Sequence, residues 1–282
     1  MRTLKLTIAY DGTAYAGWQF QLGRPTVQET LESAISQITG QRVRVLASGR
    51  TDAGVHALGQ VAAFRTNSAL PPDVLVRALN ANLPHDIAVL EAAEAPAAFH
   101  PIRHAVRKRY RYLIHDGPIR EVFGRQFVWH YVYGRLDAEA MQRAAAPLLG
   151  KHDFRSFQSS GAPRKTSVRT VFDLSVRRGR AGEPPCLPSP FGRGAGSEGG
   201  AAGESRQNVG QGRGGDEDFI RIEIEANGFL YNMVRAIVGT LVPVGRGVRP
   251  ESWPVEVLAA ADRRLAGPTA PPQGLCLMRV EY

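Results

Sequence analysis

The chain is 282 residues long, enough for one large domain or two of ordinary size, each with its own core. With 43% hydrophobic and 22% charged residues it falls in the globular range, which excludes a wholly disordered or collagen-like chain. Lys and Arg number 35 against 26 Asp and Glu, a formal charge of +9, and this excess favours a polyanionic partner such as nucleic acid. Four of the 35 are lysine and the rest arginine; Arg-rich, Ala-rich usage also follows from genome base composition, and charge alone does not separate the two. No apolar run approaches the roughly 20 residues that cross a bilayer. The opening MRTLKLTIAYDG alternates polar and apolar residues without a long apolar stretch, so a cleaved signal peptide is not expected and the expected location is the cytoplasm. Cys186 and Cys276 supply neither a disulfide framework nor a CxxC pair, which leaves zinc and thiol chemistry without support.

Along the chain, Leu4 to Tyr10 alternates Leu4, Leu6, Ile8 and Tyr10 and predicts a strand. Thr26-Val-Gln-Glu29 is a capping box opening a helix with Val27, Leu31, Ile35 and Ile38 on one face and Gly40 as its stop. Arg42 to Ala47 and Gln60 to Thr66 read as strands, Asp73 to Asn80 as a helix and Ile87 to Ala93 as a strand, an order of β-α-β-β-α-β. The second half repeats it. Arg107 to His115 is a strand; Asp137 caps a helix with Met141, Ala145 and Leu148 facing inward and Gly150 at its end; Ser167 to Arg177 and Asp218 to Ala226 are strands. Phe229 to Val244 predicts a helix with Leu230, Val234, Ile237 and Leu241 on one face, Val255 to Arg264 a short helix, and Gly274 to Tyr282 a final strand. The fold class expected is α+β, with two ferredoxin-like halves, 1–105 and 106–282, whose largely antiparallel sheets are expected to join edge to edge. Between the strands of the second half, Gly179 to Glu217 carries twelve of the 30 glycines and no apolar period, and is expected to be disordered and functionally passive.

Three segments carry candidate chemistry. Gly49-Arg-Thr-Asp-Ala-Gly-Val-His56 lies between two predicted strands, where a loop presents side chains above a rigid sheet. Asp52 there is either a catalytic carboxylate, with Arg50 free for a phosphate or a displaced base, or the Asx-turn of an ordinary connection. Gly49 and Gly54 have the spacing that opens a P-loop, but Val55-His56 stands where Lys and Ser/Thr are required. His100-Pro-Ile-Arg-His104 lacks the glutamate of a zinc-protease helix and reads as a turn. In Arg107-Lys-Arg-Tyr-Arg-Tyr112, alternation puts Lys108, Tyr110 and Tyr112 on one face and Arg107, Arg109 and Arg111 on the other. One face would stack a base while the other contacts phosphates, or the rings are buried in the sheet and the arginines snorkel to solvent. Arg235, a lone charge in an apolar helix, is either a snorkelling end or the partner of a buried carboxylate, for which Asp52 is a candidate.

YDGTAYAGWQ at 10 to 19, TVQETLE at 26 to 32, GRTDAGVHALGQV at 49 to 61, NANLP at 80 to 84, FH at 99 to 100, RKRYRY at 107 to 112, HDFRSF at 152 to 157, NGFLYNMVRAIVG at 227 to 239 and GLCLMRVEY at 274 to 282 follow one another in order. Together they resemble the TruA-type tRNA pseudouridine synthases over the whole chain apart from the insert. The resemblance implies isomerisation of uridine to pseudouridine in the anticodon stem-loop of tRNA, at tRNA positions 38, 39 and 40, by a homodimer using neither metal nor organic cofactor. Matched residue by residue, it implies that Asp52 is the catalytic aspartate, Tyr110 the active-site tyrosine, Arg235 the basic partner of the carboxylate and Arg50 the arginine that helps extrude the target nucleotide. An ionised Asp52 is expected, its pKa lowered by the guanidinium. The competing reading is a non-catalytic RNA-binding or RNA-chaperone protein on the same fold, against which the joint presence of Asp52, Tyr110 and Arg235 stands.

Overall fold

The computed structural model describes residues 1–161, 166–179 and 216–282. Nearly all of the glycine-rich insert lies outside these residues. Fifteen regular elements follow in order: β1 Arg2–Tyr10, α1 Val27–Thr39, β2 Leu46–Ala47, β3 His56–Thr66, α2 Pro72–Asn82, β4 Ile87–Ala95, β5 Arg107–His115, β6 Trp129–His130, α3 Ala138–Ala145, β7 Gly150–Asp153, β8 Val168–Arg178, β9 Phe219–Ala226, α4 Met233–Gly245, α5 Trp253–Ala260 and β10 Leu275–Glu281.

The strands make one mixed sheet of order β4-β1-β3-β10-β5-β9-β8-β7, with β2 also on β3 and β6 also on β5. Pairing is antiparallel except at β3–β10 and β5–β6. β3 makes the sheet continuous by giving one edge to two strands in turn. Ala62 and Ala63 pair with β2, whereas His56 and Ala57 pair with Cys276 and Leu277 of β10. Register then sets the faces, since side chains alternate across a strand. Leu4, Leu6 and Ile8 of β1, Tyr110, Tyr112 and Ile114 of β5, and Ile220, Ile222 and Ile224 of β9 join the helices in one hydrophobic cluster that runs through both halves.

Local rules account for most element ends. The Thr26 hydroxyl accepts from the Glu29 N–H, Gly40 closes α1 in the left-handed conformation, and Val27, Leu31 and Ile35 are fully buried as the pattern requires. Elsewhere the expectations need correction. The strand expected from Arg42 shrinks to Leu46–Ala47, because the Val45 N–H and C=O are taken by Glu32 and Gln28 of α1 rather than by a strand. Pro147 ends α3 early and tightens the following turn into a 3-10 helix, Ala146–Leu148. The helix expected from Phe229 begins at Met233, since Asn232 holds φ at 60° and breaks the helical path before it. Left-handed Ala261 likewise ends α5 short of the expected Arg264. β6 and β7, of two and four residues, carry no readable period.

Candidate active site

The loop from Ser48 to Val55 leaves β2 and re-enters the sheet at β3, above the seam where β3 passes from β2 to β10. The 10–19 segment presses on it from one side. The Trp18 N–H donates to Thr51 O at 3.0 Å, and the Gly12 N–H donates to His56 Nδ1 at 3.0 Å. Gly17 has φ +97°, and a Cβ there would fall 2.6 Å from Thr51 O, so only glycine lets the two backbones approach this closely.

Within this cradle the Asp52 carboxylate reaches across the seam to Arg235 in the first turn of α4, with Oδ2 3.3 Å from Nη1. The two residues are 183 positions apart in the chain. Arg235 does not snorkel: its side chain is 14% exposed, Nε donates to Ala270 O at 2.7 Å, and Nη1 also donates to Asn232 Oδ1 at 2.9 Å. Ala270 N–H returns a bond to Arg235 O, which ties the segment before β10 to α4. The close packing behind this tie is at Gly239, where a Cβ would lie 1.6 Å from Pro268 O.

The Asp52 side chain keeps 27% of its exposure, so the carboxylate is held but open to a substrate. Burial raises its pKa above the ordinary carboxylate value, and the charge and hydrogen bond of Arg235 oppose that rise without cancelling it. The expectation of a lowered pKa is therefore corrected: desolvation outweighs the single guanidinium contact.

Tyr110 lies on β5 facing the same core, 8% exposed, with its ring edge-on to Phe229 at 5.0 Å. Burial pushes its phenol up, and the negative charge of Asp52 adds to that rise. Tyr112 is fully buried, and its hydroxyl donates to Pro271 O at 2.7 Å, so it supports the loop rather than meeting a base. Arg50 is exposed on the loop, two residues before Asp52. The structure thus brings Asp52 and Arg235 into contact and puts Tyr110 within electrostatic reach of Asp52.

The arginine face of β5 departs from expectation. Arg109 pairs with Asp173 at 3.0 Å, Glu223 at 2.9 Å and Glu225 at 3.1 Å; Arg111 pairs with Glu223 at 2.7 Å, and Arg107 with Glu225 at 3.2 Å. Burial would raise Glu225, but its bonds from Arg279, Arg109 and Arg107 hold it below the usual carboxylate range. These guanidiniums are neutralised by β8, β9 and their neighbours instead of standing free for phosphates. Lys108, on the opposite face, donates through Nζ to Ser48 O at the base of the loop. Asn232 lies inside the 227–239 motif without a role assigned from it, and the Pro268–Pro271 segment carried no recognisable sequence signal, because each acts through the placement of Arg235. Among the described residues, no group of three or more His, Cys, Asp or Glu side chains converges in a way that could hold a metal ion.

The sequence model of a family described as tRNA pseudouridine synthase matches residues 6–104 and 144–282. Over the full length of both chains, this sequence is 42% identical to a tRNA pseudouridine synthase A of Thermoanaerobacter sp. (strain X514), 43% identical to one of Acetivibrio thermocellus and 44% identical to one of Pelobacter propionicus.

Proposed function

The chain belongs to the tRNA pseudouridine synthase family, an isomerase family, and on that premise we propose that it converts uridine to pseudouridine in the anticodon stem-loop of tRNA, at tRNA positions 38, 39 and 40, with Asp52 as the catalytic group. The observation that carries the reading is the Asp52–Arg235 contact at 3.3 Å, formed across the seam by residues from opposite halves of the chain.

The reaction breaks the bond between N1 of uracil and C1′ of ribose, turns the base, and joins C5 to C1′; the C5 proton leaves and N1 gains one. No electrons are exchanged with a second reactant, so the reaction calls for no redox cofactor, and a carboxylate, a guanidinium and a phenol are the groups that this reading uses. The Asp52 carboxylate serves as nucleophile or base in the rearrangement, and it acts in its ionised form. Arg235 favours that form and aims it, against a burial that disfavours it. Target uridines in a stem are stacked, so the nucleotide is flipped out to reach Asp52; Tyr110 supports the uracil ring and exposed Arg50 takes the space it leaves.

The strand orders β4-β1-β3 with β2 on β3, and β10-β5-β9-β8, support a reading of two ferredoxin-like halves, 1–105 and 106–282, joined around an RNA-binding cleft. The excess positive charge supports tRNA as the partner, while the homodimer rests on the likeness to the family alone and the cytoplasm is the location proposed for a tRNA-modifying enzyme. No helix among the described residues is long and apolar enough to cross a membrane. The test is incubation of wild-type and Asp52→Asn proteins with unmodified tRNA transcripts, followed by mapping of pseudouridine at single-nucleotide resolution. Wild type modifies positions 38 to 40, and Asp52→Asn binds tRNA but forms no product. Substantial turnover by the variant overturns the assignment of Asp52, and modification confined to other positions overturns the substrate site.

A further inference from the structure

We infer that a buried hydrogen-bond relay of Ser48, Gln60, Tyr10 and Thr51 fixes the backbone on both sides of Arg50, with Tyr10 and Thr51 as positioning residues for Asp52. The inference rests on the assignment of Asp52 above.

Gln60 lies on β3 opposite Ile8 of β1 and is completely buried, a position otherwise suited to an apolar side chain. Every polar atom of its amide is engaged. Oε1 accepts from the Ser48 hydroxyl at 2.8 Å, and Nε2 donates to Gly49 O at 2.9 Å and, more weakly, to the Tyr10 hydroxyl at 3.4 Å. Turning the amide over would set two carbonyl oxygens against each other at Gly49, so this orientation is the one that the contacts allow. The Tyr10 oxygen accepts from Gln60 and lies 2.8 Å from Thr51 Oγ1, a hydrogen bond in which either hydroxyl is able to donate. Burial keeps that phenol neutral, so it retains a proton for hydrogen bonding.

The relay ends on the loop at both sides of Arg50: at Gly49 O before it and at Thr51 after it. Thr51 is also held through its carbonyl by Trp18 N–H and is the residue bonded to Asp52. All four members are at most 6% exposed. Buried polar groups that satisfy one another add little net stability over well-packed apolar residues, so a relay at this position is better explained by the geometry it imposes than by the core it fills. The loop that carries an exposed arginine and a part-exposed carboxylate is thereby stiff at its base.

The experiment compares single-turnover rates and tRNA affinity, on saturating unmodified tRNA transcript, for Tyr10→Phe, Thr51→Val, Thr51→Ser and the double variant Tyr10→Phe/Thr51→Val. Ile35→Val, a distant core change, and Asp52→Asn serve as controls. Expected is a fall in the rate of about 10- to 100-fold for Tyr10→Phe and for Thr51→Val, the range associated with a small displacement of a reacting group. Affinity for tRNA changes by less than about twofold, Thr51→Ser recovers most of the loss, and the double variant is little worse than either single one, because both break the same link. Ile35→Val remains near the wild-type rate. If Asp52→Asn is inactive while Tyr10→Phe and Thr51→Val keep rates within about twofold of wild type, the relay is refuted and the catalytic assignment stands. A loss in Thr51→Val that Thr51→Ser does not relieve, or one matched by weaker tRNA binding, also refutes it. Turnover by Asp52→Asn instead removes the premise.

Discussion

Replacing Arg235 by methionine keeps most of the side-chain stem and deletes the charge, which isolates what the guanidinium does for Asp52. The pair is separated by 3.3 Å, with side chains 14% and 27% exposed. At an effective dielectric of about 20, two unit charges at that distance attract by about 5 kcal/mol, and the residual hydration of Asp52 reduces the useful part to on the order of 2–3 kcal/mol. If that energy holds the ionised carboxylate in its reacting geometry, the single-turnover rate near neutral pH falls by about 30- to 150-fold. The loss has a signed pH dependence. Burial already raises Asp52, and removing its opposing cation raises it further, so the acid limb of the rate profile moves to higher pH and activity partly returns as the medium becomes more alkaline. Release of label from uridine carrying tritium at C5 measures the rate over a pH series. A variant with an unshifted acid limb, or with a rate within about threefold of wild type at neutral pH, refutes the electrostatic role.

Tyr110→Phe keeps the ring edge-on to Phe229 and removes the phenol; near-normal rates in Phe with a loss in Tyr110→Ala assign ring support, whereas equal losses assign the hydroxyl a part in proton transfer. Gly239→Ala drives a Cβ against the Pro268 carbonyl, and thermal or urea unfolding should show a destabilisation of about 3 kcal/mol together with lower activity, since the Ala270 anchor of Arg235 moves with that segment. Because folding raises the pKa of Asp52, its ionisation works against stability: the contribution is most favourable below the unfolded carboxylate value of 3.8 and is lost as pH rises through the folded value. Asp52→Asn therefore gains thermal stability relative to wild type as pH rises from about 4 towards neutrality. Differential scanning at matched pH values checks this, and a difference that is flat or reversed counts against the assigned shift.

What the sequence determined by itself is the local layer. The Thr26 cap, the Val27-Leu31-Ile35 stripe and the Gly40 stop of α1 are written in adjacent residues, and so is the alternation that buries Tyr110 and Tyr112 on one face of β5. The family resemblance likewise singled out Asp52, Tyr110, Arg235 and Arg50 as candidates without any geometry. The tertiary structure decided whatever depends on distant partners. The meeting of β3 with β10 rests on two residue pairs from opposite ends of the chain, and no local period encodes it. The same holds for β7, too short to show alternation until β8 lies beside it. On β5 the period placed Arg107, Arg109 and Arg111 together, but only the neighbouring Glu223, Glu225 and Asp173 determined that they pair with carboxylates. The sign of the Asp52 shift was hidden for the same reason. A nearby guanidinium can be inferred from a motif, whereas desolvation is set by how many atoms of the whole fold surround the carboxylate, and here it is the larger effect.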